Sequence, residues 1–196
     1  MLRRFVAAAI ASIAAMVLVT PAQAGLLPLQ VTVTPEGGNY QWTYAIVLPT
    51  NSQLQSSDFF TIYDFGGLVP GTITAPTGWV SSVSMVGQTP SLLAPIDNPT
   101  IPNLTFTYTG PTINSGQLGL GNFSAVSTSG EGISSFLTAQ TQRSTDGQLD
   151  KNITETTVPV PLGGHPPPVP EPTTLALAGI GLPLVALGRK LRRWRS

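Results

Sequence analysis

The chain has no cysteine. This excludes disulfides, thiol catalysis, Cys-ligated zinc and iron–sulfur clusters. Lipoprotein anchoring, which needs a cysteine at the signal cleavage site, goes with them. Histidine is nearly absent: His165 is the single one, in Gly-Gly-His-Pro-Pro. One histidine in a proline-rich stretch leaves no Ser-His-Asp triad and no His-rich metal site in the residues before it. His165 is read as a solvated linker residue. Basic residues are scarce through the middle. Between residues 25 and 168, Arg143 and Lys151 stand against Glu36, Asp58, Asp64, Asp97, Glu131, Asp146, Asp150 and Glu155, two against eight, a formal charge of −6. Such a surface disfavours nucleic acid and anionic membranes. It suits neutral polysaccharide, divalent cations or simple solubility. Apolar residues show no sustained helical period outside the two ends, and no repeat of roughly 20–50 residues marks a solenoid or propeller. No cofactor is implied.

What is present between residues 25 and 157 is a strand-and-turn vocabulary of Thr, Ser, Gly, Pro and aromatics. Short β-like runs fall at 29–34, 40–48, 59–65, 72–75, 79–86, 104–109, 118–126, 136–142 and 153–158. Tyr40, Trp42 and Tyr44 share one face of their run; Leu104, Phe106 and Tyr108 share one face of theirs. Gly66-Gly67 reads as a turn or bulge, Gly119 and Gly121 as a bend, and residues 90–102 as a long proline-rich loop or edge crossing. The pattern predicts an all-β fold, a single β-sandwich of immunoglobulin-like or jelly-roll type. With no disulfide to hold it, this region relies on core burial, and its length suffices for one domain.

Candidate chemistry within this domain is thin. Asp58 and Asp64, six apart on a strand, would lie roughly 20 Å from each other at ~3.3 Å per residue. A glycosidase pair needs about 5–9.5 Å. Asp146-Gly147 and Asp150 form a loose calcium-loop pattern without its terminal Glu, so no metal ligand set is assigned. Trp42 and Trp79 are the candidates for stacking on sugar rings, with Tyr40, Tyr44, Tyr63 and Tyr108 beside them; the plainer expectation for strand aromatics is the core. Asn103, Asn122 and Asn152 stand in Asn-x-Ser/Thr triplets, which in a bacterial host would be chance matches.

The ends carry the stronger signals. Arg3-Arg4, the uncharged run 5–19 and Pro21-Ala22-Gln23-Ala24 form the three parts of a secretory signal peptide. Ala22 and Ala24 are the small residues of the cleavage pattern, so residues 1–24 are expected to be removed by signal peptidase, with Gly25 first. From Val158 the chain reads V-P-V-P-L-G-G-H-P-P-P, a polyproline-type linker over 158–168. The fifteen residues from Val158 to Pro172 could hold a domain on the order of 40 Å from a bilayer, at ~3 Å per residue. Then come Val169-Pro170-Glu171-Pro172, an apolar run over 175–188, and a terminus with Arg189, Lys190, Arg192, Arg193 and Arg195. Prolines keep the first element extended. The fourteen apolar residues of the second fall short of the ~20 a spanning helix needs, and snorkelling cations extend them. The cations stay cytoplasmic.

This tripartite tail, residues 169–196, resembles the PEP-CTERM sorting signal of bacteria, whose carriers are processed by exosortases. With the signal peptide read above, the β-domain is expected between an N-terminal signal helix and a C-terminal transmembrane helix. The resemblance implies transient residence in the inner membrane, an exosortase as processing partner, and delivery to the cell surface or extracellular matrix. Exopolysaccharide is a candidate partner there, since such proteins commonly accompany biofilm systems. The chain is then a substrate, not an enzyme. A carbohydrate-binding β-sandwich is the rival reading; a secreted hydrolase on the same fold is a third.

Overall fold

The computed structural model describes residues 25–114 and 118–161. The expected signal helix, transmembrane helix and sorting tail, and linker residues 162–168, lie outside the described residues. Among the described residues there is no helix, and all strand pairing is antiparallel. The described residues form nine strands: β1 Leu27–Glu36, β2 Asn39–Leu48, β3 Ser52–Gln53, β4 Phe59–Ile62, β5 Trp79–Ser84, β6 Asn103–Tyr108, β7 Leu118–Ser127, β8 Gly132–Arg143 and β9 Leu149–Pro159.

They form two sheets. The smaller has the order β1-β2-β7, and residues 68–74 run along the free edge of β7 through bridges at Leu68–Ser127 and Thr74–Ser124. In the larger, β8 pairs with β9 along one side and with β3 and β4 along the other, and β6 and then β5 follow β4. Constant-type immunoglobulin domains order their strands A-B-E-D and C-F-G, a different arrangement.

The side chains that sequence alternation puts on one face become the shared core. Trp42, Tyr44 and Ile46 from β2 and Phe123 and Ala125 from β7 meet Phe60 and Ile62 from β4, Leu104, Phe106 and Tyr108 from β6, and Leu137 and Ala139 from β8. Phe123 joins the sheets through three ring contacts. It lies 4.8 Å from Phe60, 5.1 Å from Phe106 and 5.0 Å from Trp79, each time edge to face. That is the preferred arrangement of aromatic quadrupoles. The bend expected at the glycines of β7 is there: the β2–β7 register slips between Ile46 and Val47, opposite Gly121 and Gly119. Gly121 has φ +102, and a Cβ on it would sit 2.8 Å from Pro76.

Three expectations shift. The run 72–75 is a bridge rather than a strand, while β3, two residues long, carries no readable alternation. Strand β4 is buried at every position, because the proline-rich segment after β5 crosses the outer face of the larger sheet. Thr61 Oγ1 and the Tyr63 hydroxyl donate to the Gln88 carbonyl at 2.7 and 3.2 Å, and Asn103 Nδ2 donates to Asp97 at 2.9 Å. Gly87 makes this close approach possible, since a Cβ there would meet the Tyr63 ring at 2.5 Å. Finally, the domain does not end at residue 157. β9 continues to Pro159, Val158 and Val160 are buried, and the Val160 amide donates to the Glu131 carbonyl at 2.9 Å. Val-Pro-Val-Pro places its valines inward, and β9 is an edge strand, where proline is tolerated.

Candidate functional site

Most residues singled out for function are the processing signals at the two ends. Ala22 and Ala24, and Val169, Pro170, Glu171, Pro172, Arg189, Lys190, Arg192, Arg193 and Arg195, lie outside the described residues, as does His165. What the structure describes is how the β-domain holds the chain next to each signal.

At the C-terminal side, the last residues before the tail are clamped. Gly66 follows Phe65, whose ring is in the core, and its amide donates to the Pro159 carbonyl at 3.2 Å while its own carbonyl accepts from Ser127 Oγ at 2.7 Å. A Cβ on Gly66 would lie 2.5–2.6 Å from backbone atoms of Pro159 and Pro161. Backbone cannot yield as a side-chain tip does. Gly66→Ala is therefore expected to push residues 159–161 off the domain, at a cost of about 1–3 kcal/mol as for other overpacked sites. Limited proteolysis should then cut near residue 160 in the variant and spare it in the wild type.

At the N-terminal side, Gly25 is buried with φ +130, and Leu26 is fully buried in the core. The position expected to become the mature terminus is thus part of the packed domain.

The candidate aromatic platform is mostly interior. Trp42 is 1% exposed, and its indole N–H donates to the Ser129 carbonyl at 2.9 Å. Tyr44, Tyr63 and Tyr108 are also buried. Trp79 is half-buried, packed edge to face on Phe60 and Phe123 and tilted against Tyr108 at 5.1 Å. Tyr40 is partly buried against the same core. Trp42 and the three buried tyrosines offer no free ring face for a sugar. Of the Asn-x-Ser/Thr asparagines, Asn103 and Asn152 are buried and hydrogen-bonded.

The acids serve the fold. Asp58 is 1% exposed; one carboxylate oxygen accepts from the Gln55 amide at 2.7 Å and the other from Gln142 at 3.1 Å. Asp64 lies in another neighbourhood, accepting from the Asn98 amide at 2.9 Å. Asp146 belongs to the β8–β9 turn. It accepts from the Gln148 amide at 3.1 Å and pairs with Arg143 at 3.5 Å, beside Gly147 with φ +68. Among the described residues no three His, Asp or Glu side chains converge on a metal-sized site.

Burial pushes the Asp58 carboxyl above the ordinary carboxylate range, against the opposing pull of its hydrogen bonds from Gln55 and Gln142. The folded state then holds its proton more tightly than the unfolded chain. Its contribution to stability is present below the unfolded carboxylate value and is lost as pH rises towards the folded one. Asp58→Asn removes that loss. Between pH 3 and pH 7, the stability of the Asn variant relative to wild type should rise. Urea unfolding at both pH values checks this; an unchanged difference would show that Asp58 does not titrate abnormally.

Comparison with known proteins decides the nature of the tail. Residues 168–193 match the family model of the PEP-CTERM protein-sorting motif. The chain thus carries at its C-terminus the sorting signal of exosortase substrates, and the motif implies export with membrane-associated processing. The PEP-CTERM match spans Pro170-Glu171-Pro172, the apolar run and the cations through Arg193. It does not extend into the β-domain. No curated protein and no solved structure matches the chain.

Proposed function

We propose that this protein is an exported β-sandwich with a structural or interaction role in the bacterial envelope or extracellular matrix. The observation that carries the reading is the PEP-CTERM match at residues 168–193. Signal peptidase removes residues 1–24. The apolar run over 175–188 then holds the chain in the inner membrane, with Arg189, Lys190, Arg192, Arg193 and Arg195 kept cytoplasmic. An exosortase recognises Pro170-Glu171-Pro172 and severs or transfers the chain nearby, releasing the β-domain towards the cell surface or matrix. The chain is the substrate in that step. Exopolysaccharide is the partner that its weakly basic, acidic composition tolerates best; nucleic acid is disfavoured by the same composition.

Two host strains, with and without an exosortase, test this. In the competent strain the protein should be shortened and leave the inner membrane. In the deficient strain it should keep its tail and stay there. Equal lengths and equal distribution in both would overturn the reading.

A further inference from the structure

We propose that Asn152 is the docking site for the α-ammonium group that signal-peptide cleavage creates on Gly25. This rests on the reading of residues 1–24 as a cleaved signal. Asn152 lies on β9 and is 3% exposed. Its Nδ2 donates to the Leu26 carbonyl at 3.1 Å and to Thr154 Oγ1 at 3.0 Å. A carbonyl can only accept, so the amide cannot be turned over without setting two oxygens against each other. Oδ1 is thereby aimed away from Leu26, and it is buried without a hydrogen-bond partner.

The group it is aimed at is Gly25. A Cβ built on Gly25 would lie 2.1 Å from Asn152 Oδ1 and 2.7 Å from Cγ. The free acceptor therefore presses against the Cα of Gly25, the carbon that also bears the Gly25 nitrogen. A Cβ does not fit here without moving the Asn152 side chain. Before processing, this nitrogen is an amide with one hydrogen fixed in the peptide plane. Signal peptidase hydrolyses the Ala24–Gly25 bond. Water supplies the oxygen of the new Ala24 carboxylate, and the Gly25 nitrogen takes up protons to become an ammonium. That group has three donors, rotates about its bond to Cα, and makes the stronger, charge-assisted kind of hydrogen bond. It fits an orphaned buried carbonyl oxygen, which is costly to leave unpaired. Cleavage at this bond thus supplies the partner that the Asn152 oxygen lacks. Maturation and folding are linked through one side chain.

The test compares two exported proteins. One is the wild type. The other has a single Ser inserted after Ala24, which keeps the cleavage site and moves the ammonium one residue away. Mass spectrometry fixes the N-terminus of each. The wild type should melt roughly 3–10 °C higher, and the gap should shrink towards zero when both also carry Asn152→Ser. A second readout does not depend on that variant folding. In native wild type, the Gly25 amine should react with an acylating reagent several-fold more slowly than the amine of the inserted form. Equal melting temperatures and equal amine reactivity would overturn the proposal with the signal reading intact. A wild-type N-terminus other than Gly25 would overturn both.

Discussion

Glu171→Gln should leave the tail on the protein and the protein in the inner membrane. Glu171 is the single acid between residue 156 and the C-terminus, and it stands between two prolines. Both prolines fix φ near the extended value and lack an amide hydrogen. The residue before a proline is also biased away from helix. Sequence alone therefore presents the carboxylate on a stiff, open strand, on the far side of the apolar run from the five cations. A hydrogen bond to a charged group contributes about 1.5–3 kcal/mol, so losing it should slow processing roughly 10–150-fold. Glutamine keeps the shape and removes the charge, so the change isolates electrostatic recognition. Pulse-labelling followed by separation of long and short forms gives the rate. Processing at the wild-type rate would mean that the carboxylate is not read.

Phe123→Ala should be the most damaging change in the β-domain. Phe123 is fully buried and is the one ring of the aromatic cluster supplied by the smaller sheet. Truncating a buried Phe costs about 3–5 kcal/mol, against a typical domain stability of about 5–15 kcal/mol. Three edge-to-face contacts between the two sheets are lost together. Unfolding of the exported protein in urea should show the midpoint falling by a third or more. A loss under about 1 kcal/mol would mean that the cavity collapses freely and that the ring is not the joint described here. Phe136→Ala is a suitable control, because Phe136 is on β8 and only partly buried.

The two kinds of site were legible to different degrees. The tail was readable because its chemistry is local: prolines, one acid, an apolar run and cations follow one another along the chain. Much of the fold was readable as well. Alternation gave the inward faces of β2 and β6, and glycine marked the bend in β7. The closing segment was misread, because Val-Pro-Val-Pro is both a polyproline pattern and an edge strand with inward valines. Only burial against Glu131 and Gly66 separates the two. Cover on both faces of β4 was not legible, because nothing near Phe59–Ile62 identifies residues 85–102 as the cover. Asn152 lies beyond sequence reading altogether. Its partner in the fold, Leu26, is 126 residues away.

The most direct measurement is the intact mass of the protein recovered from membrane and matrix fractions of its host. The expected product starts at Gly25 and ends between residues 170 and 174, without the apolar run or the cations. A chain that still ends at Ser196 in every fraction would make the tail a permanent anchor and contradict processing by an exosortase.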